Sequence, residues 1–103
     1  MNIRFKNWNC EIVKHQYNNN GRTALELVAA EDDMEQDIWK GEPIATATVN
    51  LSDTPLASDE VIVKDYSENE GMLDTLLKAG VVELTGRTVS TGFVTCPVCV
   101  LCI

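Results

Sequence analysis

The chain has 103 residues, 45% of them apolar, with eight basic against sixteen acidic side chains and a net charge of −8. This length and apolar content suit a single domain with one real core and exclude a disordered chain. The charge disfavours direct binding to nucleic-acid phosphates and favours a basic protein surface, although acidity also serves solubility alone.

Met1 to Trp8 holds no apolar run suited to a signal peptide, and no span approaches the roughly 20 apolar residues of a membrane helix. A cytoplasmic protein with reduced cysteines is the expectation. Trp8, Cys10 and Ile12 alternate with Asn9, Glu11 and Val13, which predicts an early strand. It ends at Tyr17, where Asn18-Asn19-Asn20-Gly21 supplies residues that tolerate the positive φ of a tight hairpin. Thr23, Leu25, Leu27 and Ala29 then alternate with Ala24, Glu26 and Val28 as the return strand; the turn chemistry outweighs the helix preference of alanine, leucine and glutamate.

Glu31, Asp32, Asp33, Glu35 and Asp37 crowd into the next stretch, read as a loop or a single helical turn. Gly41-Glu42-Pro43 breaks it. A strand follows, with Ala45, Ala47, Val49 and Leu51 on one face and Thr46, Thr48 and Asn50 on the other. The small alanines leave room for a bulky element above them. Asp53-Thr54-Pro55 is a turn, and Val61-Ile62-Val63 is a short apolar strand.

The strongest helix signal comes next. Ser67 and Glu70 have capping-box spacing, and Met72, Leu73, Leu76, Leu77 and Ala79 form an apolar stripe closed by Gly80. Glu68, Glu70 and Asp74 sit toward the positive end of the dipole and Lys78 toward the negative end. The prediction is a helix from Glu68 to Ala79. Gly71 would then fall inside its first turn, where glycine costs about 1 kcal/mol relative to alanine, so a close approach of the sheet, the Tyr66 ring or a partner's backbone is expected there. Past Gly80, Val81 to Leu84 reads as a strand, Thr85-Gly86-Arg87 as a turn, and Thr88 to Thr95 as a strand carrying Val89 and Phe93. Cys96 to Leu101 adds a last strand, which Pro97 would restrict to an edge or a strand start. The expected fold is α+β: an antiparallel sheet of roughly five to seven short strands, with one main helix at about 68–79 packed on one face.

Cys96, Cys99 and Cys102 have the spacing of half a zinc knuckle, with Cys10 or His15 as the remaining ligand. An extended strand opposes this, because it turns Cys96 and Cys102 one way and Cys99 the other. Neither a metal nor a cofactor is expected, and a small zinc-binding module is kept only as an alternative. His15 has no nucleophile at motif spacing, there is no Gly-rich phosphate loop, and adjacent Asp59 and Glu60 point to opposite faces of a strand. No enzyme is expected. Two acidic stretches are the candidate partner-binding residues: Glu31, Asp32, Asp33, Glu35 and Asp37, and then Asp59, Glu60, Asp65, Glu68 and Glu70. Trp8 or Trp39 would anchor a partner if exposed.

Tyr17 to Leu27, Gly41 to Leu51, Asp59 to Gly80 and Thr85 to Leu101, with the segment D-Y-S-E-N-E-G-M as the most specific piece, resemble a family of small acidic proteins of unknown function. That family is carried by conjugative plasmids and transposons of Gram-positive bacteria, and this chain is similar to the anti-CRISPR proteins of such elements. The resemblance implies a stoichiometric inhibitor of a type II RNA-guided nuclease, in which an acidic surface blocks the basic channel for guide RNA or DNA. It carries over no catalytic residue. The alternative is a regulatory interaction module of the mobile element without a CRISPR target.

Overall fold

The computed structural model describes all 103 residues, Met1 to Ile103. Eight strands make two antiparallel sheets of four strands each, so the domain is α+β. β1 (Asn2–Phe5), β2 (Trp8–Gln16), β3 (Thr23–Ala29) and β4 (Pro43–Thr46) pair in chain order. β5 (Thr48–Val49), β6 (Glu60–Val63), β7 (Val82–Thr91) and β8 (Val94–Leu101) pair in the order β5-β6-β8-β7. No helix is long and apolar enough to cross a membrane.

The predicted hairpin from Trp8 to Ala29 forms as read. Tyr17 N donates to Arg22 O at 2.8 Å, Gly21 takes φ +70°, and Cys10 pairs with Ala29 through Gln16 with Thr23. β1 is an addition. Its Ile3 and Phe5 point inward, and it turns into β2 through Lys6 and Asn7, with Phe5 opposite Trp8.

The expected strand from Ala45 to Leu51 is instead two strands that meet at Ala47 and belong to different sheets. Ala47 N donates to Leu25 O of β3 and Ala47 O accepts from Lys64 N after β6, both at 2.8 Å. The inside-outside phase slips at that corner, so Thr48, expected on the polar face, is buried. Its hydroxyl is satisfied there by Leu25 N at 3.3 Å and Tyr17 Oη at 2.8 Å. Buried Asn69 pins the corner from the other side, donating to Thr46 O at 2.7 Å and Lys64 O at 3.2 Å. One continuous sheet becomes two because a single chain segment changes pairing partner midway.

The helix also differs from its prediction. Ser67–Asn69 is a 3₁₀ turn, and the α-helix α1 spans only Met72–Lys78. Ser67 has φ +54° and caps nothing with its side chain, so the capping box does not form. The cap comes from outside the expected motif: Asp65 Oδ1 accepts from Leu73 N at 2.8 Å. Gly71 is no helical residue but the left-handed one that precedes α1, at φ +94°, and a Cβ there would meet nothing within 4 Å. Its glycine answers to backbone conformation, and neither the sheet nor the Tyr66 ring approaches it closely. The C-terminus is as read: Gly80 N bonds Leu77 O at 3.1 Å and Val81 N bonds Leu76 O at 3.0 Å, a Schellman closure. The stripe is also as read, with Met72 and Leu76 fully buried.

α1 lies against β1 and β7, the end strands of the two different sheets. It therefore closes the seam between them. Ile3, Phe5, Cys10, Leu25, Leu27, Ala47, Met72, Leu76 and Cys99 share one core there. A second, smaller core of Ile62, Cys96 and Val98 lies on the other face of the second sheet, under Leu51, Leu56 and Tyr66. This explains the unbroken apolar run of β6, since neighbouring residues face different cores.

Two readings near the C-terminus are corrected. Thr85-Gly86-Arg87 is a bulge within the continuous strand β7, marked by the register shift between Leu84 and Thr88; the true turn is Gly92-Phe93, which leaves Phe93 fully exposed. Pro97 sits inside β8, which lies between β6 and β7. Val98 O accepts from Thr85 Oγ1 on the β7 side, so alternation turns the Pro97 nitrogen toward β6. The register of β6 ends at Ile62 opposite Val98, one residue short of Pro97.

Candidate functional surface

The first acidic stretch is folded around its own carboxylates. Asp33 pairs with Ile38 through the backbone at 2.7 and 3.0 Å, while its side chain accepts from Glu35 N and Gln36 N at 3.2 Å each and from Gln36 Nε2 at 2.6 Å. Asp32 accepts from Lys40 N at 2.8 Å, and Glu31 from Asn9 Nδ2 of β2 at 2.7 Å. This satisfies the amides of a loop that has no other ladder to join. Glu35 and Asp37 remain exposed, and neither side chain has a hydrogen-bond or ion-pair partner in the protein. Met34 at 73% exposure and Trp39 at 51% flank them, a presentation of Met34 that nothing in the local sequence pattern signalled.

In the second stretch two carboxylates, Glu60 and Asp65, hold other elements. Glu60 accepts from Ala57 N at 2.8 Å and pairs with Arg87 of β7; these contacts, Ala57 first, hold its carboxyl below the usual range. Asp65 caps α1. Glu68 pairs with Lys64, which lowers the carboxyl's pKa and raises that of the ammonium. Asp59 and Glu70 are exposed and carry no side-chain partner.

The β1–β2 turn joins most of the two stretches. Gln36 Nε2 donates to Asn7 O at 3.3 Å, and Lys6 Nζ donates to Glu68 O at 2.7 Å, so the Glu31–Asp37 loop and the 67–69 turn flank the same two residues. Glu31, Asp32, Asp33, Glu35, Asp37, Asp65, Glu68 and Glu70 outnumber the cations among them, Arg4, Lys6, Lys40 and Lys64. Asp59 is not part of this end. It lines an open groove of about 630 Å³ with Lys14 and His15, eight residues along β2 from Asn7 and hence about 25 Å away. No sequence spacing could have shown this division, because it depends on contacts between residues 7 and 36 and between 6 and 68.

The cysteines follow strand alternation. Cys96 faces the smaller core and Cys99 the main one, where burial pushes its thiol up to about 11; Cys10 is also buried, and Cys102 is exposed. His15 lies 3.6 Å from Glu26 on the adjacent strand. Trp8 is half-buried in the main core rather than presented. What this surface offers is unpartnered carboxylate charge beside the exposed apolar side chains of Met34 and Trp39. No family model, no curated protein and no solved structure matches this chain.

Proposed function

We propose that this chain is a non-catalytic interaction domain that binds a basic protein surface through the acidic end around Lys6 and Asn7. The observation that carries the reading is the convergence of the two acidic stretches on that turn, with Glu35, Asp37 and Glu70 unpartnered and Met34 and Trp39 exposed beside them. Carboxylates already bonded inside the fold would have to break those bonds to bind; unpartnered ones lose only water. The partner we propose is a type II RNA-guided CRISPR nuclease, in keeping with the resemblance above. Such a nuclease holds its heteroduplex in a positively charged channel, and a folded acidic end competes for that channel by occupancy. Inhibition then needs at least equimolar protein, is strongest when the protein meets the nuclease before the nucleic acid, and weakens as salt rises.

The test is a DNA-cleavage assay over several type II nucleases, with order of addition and ionic strength varied. Stoichiometric, salt-sensitive inhibition supports the reading. No inhibition of any of them removes the nuclease as partner and leaves the mobile-element regulator, while inhibition far below equimolar protein contradicts a non-catalytic domain.

A further inference from the structure

We infer that the outer edge of β7 is a self-association surface, on which a second copy of this chain pairs antiparallel about a twofold axis near Val89. β7 is the last strand of its sheet. Val98 O points toward β7, so the register places the main-chain groups of Glu83, Val89 and Thr91 against β8. Those of Leu84, Thr88 and Ser90 therefore point outward. None of them has a backbone partner on that side, and all three residues are exposed.

Free sheet edges are ordinarily guarded by lysines, prolines or inward-pointing charges. This one is not. From Thr88 to Ile103 the chain carries no charged side chain at all, although charged residues make up 23% of the whole. The bulge at Thr85 to Arg87 confines the free edge to a short segment, which limits pairing to a defined register instead of open-ended addition.

Self-pairing is selected by complementarity within this hairpin. With the axis at Val89, Thr88 of one copy pairs with Ser90 of the second, and Ser90 with Thr88, so every outward group in the segment is matched. Phe93, in the turn just beyond the paired segment, then sits at the end nearest the bulge and Leu84 of the second copy. Phe93 at 109% and Leu84 at 56% are the two large apolar residues that this hairpin leaves exposed, and one operation brings them together twice. Charge points the same way, because two molecules of net charge −8 repel wherever their acidic surfaces meet, and the uncharged hairpin adds no such contact. The surface uses none of the residues of the acidic end.

The test is the solution mass of the full chain by sedimentation from about 1 µM to about 1 mM, with amide exchange at Thr88 and Ser90 followed alongside. The expected result is a mass that rises from one chain to two, with both amides exchanging more slowly as concentration rises. Thr88→Lys, which guards the edge, and Phe93→Asp, which alters only the turn, should each remain single-chain while far-UV circular dichroism shows the wild-type fold. A single-chain mass up to the highest concentration overturns the inference, and so does a dimer that both variants form as well as the wild type does.

Discussion

The loop from Glu31 to Asp37 bonds its carboxylates chiefly to amides of its own neighbourhood, whereas the stretch from Asp59 to Glu70 sends two of its five, Glu60 and Asp65, to other elements. Asp32 and Asp33 shape the loop's own turn. Glu60 ties the start of β6 to β7, and Asp65 holds the first turn of α1, the helix that closes the seam between the sheets. Each region holds five carboxylates, but their availability differs: a carboxylate that caps a helix is part of the fold, and one on a loop tip is part of the surface.

The comparison can be broken first at α1. Leu76→Ala should cost about 2 to 5 kcal/mol in a urea melt, because the side chain is fully buried where the two sheets and the helix meet. A loss below about 1 kcal/mol would mean the seam is not a core, and Asp65 would then hold nothing of consequence. The next effect is alkaline. Cys99 has its pKa raised from 9.0 to about 11, so the unfolded chain loses that proton first, and stability should fall by up to about 3 kcal/mol as pH rises through this window. Cys99→Ala should flatten that slope, whatever its own cavity costs. At the acid end the sign reverses. Glu60 and Glu68 have depressed carboxyl pKa values, so their contribution is full above the ordinary carboxylate range and is lost as pH falls through the folded values; Glu60→Gln should reduce that loss.

Asp65→Ala should cost about 1 kcal/mol, the usual effect of losing a cap, while Glu35→Ala should stay within about 0.5 kcal/mol. Equal costs in both regions would erase the distinction drawn here. Smallest is Ser67. Because it sits at φ +54° and caps nothing, Ser67→Ala should leave stability nearly unchanged, and Ser67→Gly should raise it by up to about 1 kcal/mol.

What sequence patterning makes legible follows from range. The hairpin from Trp8 to Ala29, the apolar stripe of α1 and its Gly80 stop depend on neighbours a few residues apart, and all three stand as read. The corner at Ala47 could not be seen, because a strand that changes sheets keeps its local pattern until the partner strand changes. Asp65 was missed as the cap because it acts from eight residues away, and a nearby Ser67-to-Glu70 spacing offered a more familiar motif. Gly71 and the 85–87 bulge share one cause: glycine signals positive φ but not whether a helix start, a turn or a bulge requires it. Of the candidate surface, the residues were legible as charge, and their grouping into one acidic end was not.

The most direct measurement compares two charge-matched triple variants in the nuclease assay. Glu35→Lys, Asp37→Lys and Glu70→Lys together alter unpartnered carboxylates of the acidic end, and Asp53→Lys, Asp59→Lys and Glu83→Lys together alter unpartnered carboxylates elsewhere. Both must keep the wild-type urea midpoint. The account predicts that the first triple loses binding and inhibition while the second retains most of both. Equal loss would mean that net charge alone drives association, and loss confined to the second triple would place the functional surface away from the Lys6–Asn7 end.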